Sequence, residues 1–406
     1  MASIVKSPLL LLLLTVSVLS SSFAVHAKPK GRLFDDPLLQ RVVSIVSSQY
    51  WKGPIDDDSL LRASIEGIVE HLNEEDAPED RDRADGGFNR FLASDDYRLL
   101  KQDLKGGFFG IGAVIRRVDG REGILVEELL SSSPAKKAGL KAGDLILELD
   151  GRDLRSFRLR EAVKVLRGPA GSEVELLVER DGVELRFSFS RGPVELPCVQ
   201  ERMLQGSVGY LRIRQFDKNC NGKTRLAINK LLRQGARSLI LDLRANPGGR
   251  LDGACRVSDA FLPKGAPIVG VKRYGQKRVL RRSQKQALWT GPIVCLVDSK
   301  TASGAEILAG ALRERDRGIL LGEKTFGKDT VQTVFKLPRG QALKISTMKL
   351  FLRGPLDGGK LIPDVFLAPQ GQFEGARSHR KLEEIPSDPW VKSSLALLRF
   401  EEKPRW

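Results

Sequence analysis

Apolar positions change their period along this chain. From Asp35 to about Leu104, Leu, Val and Ile recur at spacings of three and four in "PLLQRVVSIVSSQYW" and "SLLRASIEGIVEHL", the period of amphipathic helices. The intervening "KGPIDDD" supplies turn residues and an acidic helix start. The charged run "NEEDAPEDRDRADGG" that follows has no period and reads as a loop. From Gly106 to Gly182 the pattern shortens to strands rich in Ile, Val and Leu between Gly and Asp turns, interrupted by one helix at Leu159 to Leu166. From about Pro193 to Gln370, the apolar runs "SVGYLRIRQF", "SLILDLRAN", "PIVCLVDS" and "GILLGEK" read as strands. They alternate with helical stretches at Thr224 to Gln234, Leu251 to Phe261 and Ala305 to Arg315, which predicts an α/β core. Sites in such cores gather in the loops after strand ends, where both "RANPGG" and "SKTASG" fall. The stretch "DPWVKSSLALLRF" reads as a C-terminal helix.

The first twenty-seven residues carry a lone Lys6, an apolar stretch from Leu9 to Leu19 and small residues around "AVHA". That form fits an export signal cleaved after Ala27 and is too short for a comfortable membrane span; left uncleaved it would tether the chain to the membrane. The remainder is long enough for two or three domains. Cys198, Cys220, Cys255 and Cys295 admit three pairings in an oxidising compartment. Cys198 and Cys220 are placed to staple the start of the α/β segment, whereas Cys255 and Cys295 sit in apolar runs that suit buried thiols. No CxxC spacing points to a metal, and no cofactor is called for.

A net charge of +16 is concentrated in "VKRYGQKRVLRRSQKQ", Val271 to Gln286. Two readings stay open: a solvated hairpin, or attraction to an anionic envelope surface or to acidic substrates. An exported chain without an aromatic-studded basic groove is a poor partner for nucleic acid.

The three histidines, His26, His71 and His379, all fall outside the α/β segment, which argues against a Ser/His/Asp triad and leaves lysine as the natural base. Ser303 stands in "VDSKTASGAEILAG", and Lys328, twenty-five positions on, stands in "GEKTFGKDTVQ". Ile307, Leu308, Ala311 and Leu312 give the segment after Ser303 an apolar face, so the serine sits at a helix N-terminus, where free amides favour a developing oxyanion. The same spacing, Ser303 to Glu306, also describes a capping box, although Ser299 or Thr301 offer alternative caps. A lysine base must be stripped of its charge: from an ordinary pKa of about 10.4 this costs about 4 to 5 kcal/mol, which burial can supply. Phe326 and Val331 suit such a pocket, and Lys324 is a rival for the role. Ser133 and Lys136 form an S-x-x-K string, but no KTG partner follows it.

These motifs carry a family resemblance. "SPAKKAGLKAGDLILELDG" resembles the signature of PDZ domains, and the Ser303 and Lys328 segments, with "LDLRANPGG" in the same order, resemble the carboxyl-terminal processing (tail-specific) proteases. The resemblance implies a multidomain α+β protein with a helical N-terminal region, a PDZ domain and an α/β (crotonase/ClpP-like) serine protease core. Its divisions are a signal peptide over 1–27, a helical domain over 28–104, a PDZ domain over 105–192, a protease core over 193–370 and a C-terminal tail with a helix over 371–406.

It further implies a secreted endopeptidase that acts through a Ser303 acyl-enzyme with Lys328 as general base and Gln332 orienting the amine. On a straight strand Lys328 and Gln332 stand about 13 Å apart, so the chain must bend between them. Gly304 supplies the first oxyanion amide, with Gly248 preferred over Gly249 for the second. Phe109, Gly110, Ile111 and Gly112 correspond to the loop that receives a peptide's terminal carboxylate; the alternative is an ordinary tight turn. Arg167 corresponds to an arginine that couples the PDZ domain to the active site, or is simply a cation at a helix end. The implied partners are protein or peptide substrates with free C-termini and further copies of the chain. The sequence departs from the family pattern at Gly304 and Ala305 after the serine, and at Asp329, where a glycine is common. Asp329 beside Lys328 keeps open a second reading, a catalytically silent peptide-binding scaffold.

Overall fold

The structure is a computed structural model that describes residues 35–49, 55–76, 87–105, 108–118, 120, 122–130, 133–194, 197–351, 356–357, 359–367 and 382–400. The expected signal peptide and most of the charged run after Asp76 lie outside the described residues. Among the described residues, no helix is long and apolar enough to cross a membrane.

The chain divides into two compact units, Met1–His71 and Leu72–Trp406. In the first, α1 (Pro37–Gln49) keeps Leu38, Val42 and Ile45 exposed; α2 (Asp57–Asp76), whose last turn falls in the second unit, begins with Asp57 and Asp58, acids that suit a helix N-terminus. The second unit opens with β1 (Arg90–Leu92) and α3 (Ser94–Lys105), followed by the elements of the segment expected to be a PDZ domain. These are β2 (Phe108–Gly110), β3 (Ala113–Arg116), β4 (Ile124–Leu129), α4 (Pro134–Lys137), β5 (Leu145–Leu149), β6 (Arg152–Asp153), α5 (Leu159–Leu166), β7 (Glu173–Arg180), β8 (Val183–Ser190) and β9 (Gly192–Val194). The strands form an antiparallel sheet in the order β3-β4-β5-β7-β8, with β6 beside β5. Ile124, Val126, Ile146, Leu176 and Val178 from alternate positions meet Ala162 and Leu166 of α5 in one core, the period of two meeting the period of a helix. β3 is an edge strand of this sheet, and β2 pairs instead with β9, which closes the domain's two ends on each other.

The segment expected to form the α/β core follows as β10 (Val199–Met203), β11 (Val208–Ile213), α6 (Cys220–Arg233), β12 (Ser238–Asp242), α7 (Leu251–Ser258), β13 (Pro267–Arg273), β14 (Gln276–Arg282), β15 (Ile293–Val297), α8 (Gly304–Glu314), β16 (Ile319–Gly322), β17 (Thr330–Lys336), β18 (Ala342–Phe351), β19 (Leu356–Asp357), β20 (Lys360–Leu361), β21 (Val365–Phe366) and α9 (Pro389–Phe400). One sheet has the order β10-β11-β12-β15-β16-β21 and is parallel from β11 onward. Its central strands are apolar on both faces because both are covered. Leu211, Leu239, Leu241, Cys295 and Val297 pack toward α6, α7 and α8, while Tyr210, Ile240, Val294, Leu296 and Leu321 pack against Trp390, Val391 and Leu398 of α9. The helix expected from the C-terminal sequence is therefore part of the core. A second sheet joins β1, β18, β13 and β14, with β17 also on β18. All four cysteines are buried free thiols, so no disulfide staples Cys198 to Cys220. Burial pushes the Cys255 thiol up to about 12 and the Cys295 thiol higher still, which leaves both inert.

Candidate active site

Three loops leave the C-terminal ends of the adjacent parallel strands β12, β15 and β16 and meet at one place. The first is held from below. Asp242, fully buried, accepts from Arg244 Nε at 2.9 Å, Arg244 Nη2 at 2.6 Å and the Tyr210 hydroxyl at 2.6 Å. Arg244 also reaches Asp388 at 2.8 Å and lies 5.3 Å from the Trp390 ring, which fastens α9 beneath the loop. Burial pushes the Asp242 carboxyl up, but the charges of Arg244 and Arg212 and the hydrogen bonds from Arg244 and Tyr210 outweigh it and hold it below the usual carboxylate range.

Beyond Arg244, Ala245 turns with φ 55 and gives its N–H to the Asp298 carboxylate. Asn246, fully buried, donates from Nδ2 to the Ile213 carbonyl and accepts from the Gly248 N–H, both at 2.8 Å; its own carbonyl accepts from Ala302 N–H at 2.9 Å. This asparagine therefore ties the NPGG loop to the segment that carries Ser303. Sequence reading passed over it, although an Asn before Pro-Gly-Gly is a turn signal.

Gly248, with φ 95, lies so close to the serine turn that a Cβ there would stand 2.8 Å from Ala302 O, Gly304 N and Ser303 Cβ. Its N–H is taken by Asn246, so in this arrangement its contribution is the missing side chain and not the expected donor. The Gly249 N–H has no acceptor among the described residues.

Ser303 is half-buried at the start of α8 with φ 54 and ψ −114, outside the extended region an ordinary N-cap adopts. Gly304 is the first residue of the helix, packed against Phe216 and Ala254, with its amide at the positive end of the dipole.

Glu306 joins this turn to the lysine loop. One carboxylate oxygen accepts from Ser303 N–H at 2.7 Å and Lys328 N–H at 3.0 Å, and the other from Thr325 Oγ1 at 2.6 Å and Gly327 N–H at 2.7 Å. The backbones of Ser303 and Lys328 thus share a single oxygen atom. Burial pushes the Glu306 carboxyl up, against the pull of these four hydrogen bonds. Phe326 N–H adds a bond to Thr301 O at 2.9 Å.

Lys328 is half-buried, whereas its rival Lys324 is exposed. The Lys328 amine lies 4.8 Å from the centroid of the Phe88 ring, a face that attracts a cation. The Asp329 carboxylate is paired with Lys349 at 2.9 Å. Gln332 follows a β-bulge at Val331, the kind of bend that contact with Lys328 calls for, yet its amide nitrogen here donates to Thr330 Oγ1 at 2.7 Å.

In the PDZ domain the carbonyls of Phe109, Ile111 and Gly112 accept from Gly168, Ala135 and Leu130, and Gly112 turns with φ 74 against Ser133. Gly110 bridges Arg167, so the loop sits against the end of α5 and beside the edge strand β3. Arg167 lines a cavity of about 220 Å³ with Asp95, Leu99 and Gln102 of α3. Arg191 adds a second cation at the carbonyl end of α5, which Arg167 caps, and donates to Val165 O and Leu166 O at 3.2 and 3.3 Å. Among the described residues, no group of His, Cys, Asp or Glu is arranged to hold a metal ion.

A small antiparallel domain is thus joined to an α/β core that presents a strained serine at a helix start, and both parts match known families. The model of Peptidase family S41 matches residues 207–364, and the PDZ domain model matches residues 99–179. The carboxy-terminal processing protease CtpA of Bacillus subtilis is 31% identical over 356 residues, covering 87% of this chain and 72% of the relative. A probable CtpA-like serine protease of Staphylococcus aureus is 30% identical over 314 residues, 77% of this chain and 60% of that one. The solved photosystem II D1 C-terminal processing protease aligns with a TM-score of 0.48 at 25% identity, over 78% of this chain and 94% of that one. The chain belongs to the S41 family of carboxy-terminal processing serine proteases.

Proposed function

We propose that this enzyme is exported and cleaves proteins whose C-terminal tails its PDZ domain captures, using Ser303 as nucleophile and Lys328 as general base. The observation that carries the reading is the Glu306 carboxylate, which brings the nucleophile's turn and the lysine's loop onto one oxygen. In the acylation step the neutral Lys328 amine takes the Ser303 hydroxyl proton as Oγ bonds to the scissile carbonyl carbon. The oxyanion is met by the Gly304 N–H with an amide of the NPGG loop, where Gly249 is the uncommitted donor. Collapse breaks the C–N bond, and the lysine returns its proton to the leaving amine. Water then gives a proton to Lys328 and attacks the acyl carbon, releasing the new carboxyl terminus and the serine hydroxyl.

In the arrangement described here the amine faces Phe88 and Gln332 is turned to Thr330, contacts that proton transfer from Ser303 would have to exchange. Substrate capture brings Lys328 off the ring and toward Ser303. The pairing of Asp329 with Lys349 supports an active enzyme, because that carboxylate is engaged away from the base. For capture, the open edge of β3 accepts the substrate tail as an added strand, and the loop of Phe109, Gly110, Ile111 and Gly112 receives its carboxylate.

The test compares an unfolded protein substrate with the same chain amidated at its C-terminus, on wild type and Ser303→Ala. Slower cleavage of the amidated substrate by wild type is expected, and no cleavage by the variant. Equal rates for the two substrates overturn tail capture, and equal turnover by the two enzymes overturns the mechanism.

A further inference from the structure

The β13–β14 hairpin breaks two rules of hairpin stability at its tip. Its two-residue turn is Tyr274–Gly275, with φ 47 and 79, the primed geometry that Asn-Gly or Asp-Gly adopts with least cost. An aromatic residue in the left-handed region is strained, and Tyr274 recovers nothing by burial, being 76% exposed. Beneath the turn the first pair is Arg273 with Gln276, and in the next Lys272 stands directly opposite Lys277, a cross-strand pair of like charges that weakens the hairpin. Lys272 is flanked on its other side by Lys349, so three lysines stand abreast across β14, β13 and β18. Arg273 lies 5.0 Å from the Tyr274 ring, and Val279 is exposed on the same strand as Lys277.

Charges on an edge strand discourage strand pairing between molecules, and that would account for the lysines. It does not account for an exposed tyrosine held at positive φ among them. A strained, exposed aromatic residue amid like charges is the kind of local outlier from which a contact outside the fold can be inferred. Residues 271–286 contain seven Lys and Arg and no Asp or Glu. A cationic surface with a protruding tyrosine matches the two preferences of a bilayer interface, negative headgroups for the cations and the headgroup level for the amphipathic ring. We propose that the β13–β14 hairpin docks this protease on an anionic membrane surface, with Tyr274 seated among the headgroups and Lys272, Arg273 and Lys277 facing the phosphates. The proposal does not depend on which residues carry out the cleavage.

The test is co-sedimentation of the full chain with vesicles of phosphatidylcholine alone and of phosphatidylcholine mixed with phosphatidylglycerol. The ratio of the two partition coefficients cancels any binding by other apolar segments. At about 1 kcal/mol per basic residue at the surface, Lys272→Gln, Arg273→Gln and Lys277→Gln together should lower that ratio by about 100-fold, and raised salt should do the same for wild type. Tyr274→Asn fits the turn better than tyrosine, so it should preserve or raise thermal stability while lowering partition into both kinds of vesicle several-fold, with the ratio little changed. Unchanged cleavage of a soluble substrate by both variants confirms that they fold. Wild type with no preference for phosphatidylglycerol, the triple glutamine variant with the wild-type ratio, or Tyr274→Asn with wild-type partition into both vesicles overturns the proposal. So does hairpin-dependent binding of soluble polyglutamate without vesicle binding, which would identify an acidic polypeptide as the partner.

Discussion

Ser133 in the PDZ domain and Ser303 in the peptidase core both stand immediately before the first residue of a helix, each with a partner three positions on. At Ser133 the backbone is extended, with φ −71 and ψ 149, and the hydroxyl accepts from Lys136 N–H at 3.2 Å. That is an N-cap and nothing more. At Ser303 the backbone is turned to φ 54 and ψ −114, and the partner's carboxylate reaches past the cap to three further donors on another loop. Both serines cap their own helices by the same spacing rule, yet one is relaxed while the other is strained, its capping partner being engaged by a second loop as well. Strain of this kind, of order 1 to 3 kcal/mol, persists only where the surroundings over-determine it. The difference teaches that a cap motif becomes a candidate nucleophile when the residue that completes it is committed elsewhere.

The sharpest break of the comparison is removal of each hydroxyl. Ser303→Ala should lower kcat on an unfolded protein by about 10⁴-fold or more, as loss of a nucleophile does elsewhere. Ser133→Ala should leave kcat unchanged. A variant at Ser303 that retained turnover in a single-turnover assay would make the two serines equivalent and remove the strained one from the chemistry.

The next largest effect should come from what holds the strain. Asp242, Arg244 and Asp388 form a buried charged cluster under the loop that leads to Gly248. Asp242→Asn leaves the Arg244 guanidinium short of an anion in a buried site, and breaking such a pair costs about 3 to 5 kcal/mol. Thermal unfolding would measure it. Because the folded state holds the Asp242 carboxyl below its ordinary range, the stability it contributes is present above that range and is lost as pH falls below it toward the lowered folded value. The asparagine variant should show a shallower acid-side loss of stability than wild type.

A smaller change should separate the two helix starts through their partners. In Glu306→Gln one oxygen becomes an NH₂ that must face two donors where the carboxylate accepted from both. We expect kcat to fall about 10- to 100-fold with little change in KM, in the range seen when the supporting partners of a site are removed. The Glu306 carboxyl is raised in the folded state, so it adds stability below the ordinary Glu range that is lost as pH rises through the raised value. The glutamine variant should lack that slope in pH-dependent denaturation.

How much of this site could be read from the sequence follows from how far its contacts reach. The helix after Ser303, the strand runs of the core and the PDZ strands all follow local periodicity, and each forms where its pattern places it. The second task of Glu306 was hidden because its other three donors lie 19 to 22 positions on and come within reach only when β15 and β16 pair side by side. A carboxylate in "GAEILAGAL", between apolar neighbours that bury it, was the available signal. Trp390 and Asp388 were read as part of a tail because nothing near them in sequence shows that α9 covers a sheet face, or that Asp388 meets an arginine 144 positions earlier. Phe88 over Lys328 belongs to the same class: the partners are 240 positions apart and no period connects them.

The smallest predicted effects carry opposite signs, and that opposition is what the two serines should show when only stability is measured. Ser133→Ala removes a cap hydrogen bond from a relaxed residue and should cost about 1 kcal/mol. Ser303→Gly removes the Cβ from a residue at φ 54, a conformation glycine occupies freely, and should stabilise the fold by about 1 kcal/mol while abolishing cleavage. The substitution leaves intact the Ser303-position N–H that Glu306 holds, so the loop junction survives it. Paired chemical denaturation of the two variants against wild type reads both signs in one experiment. If Ser303→Gly proved as destabilising as Ser133→Ala, the hydroxyl at 303 would be contributing a structural bond, the strain would not be stored there, and the two helix starts would differ only in sequence.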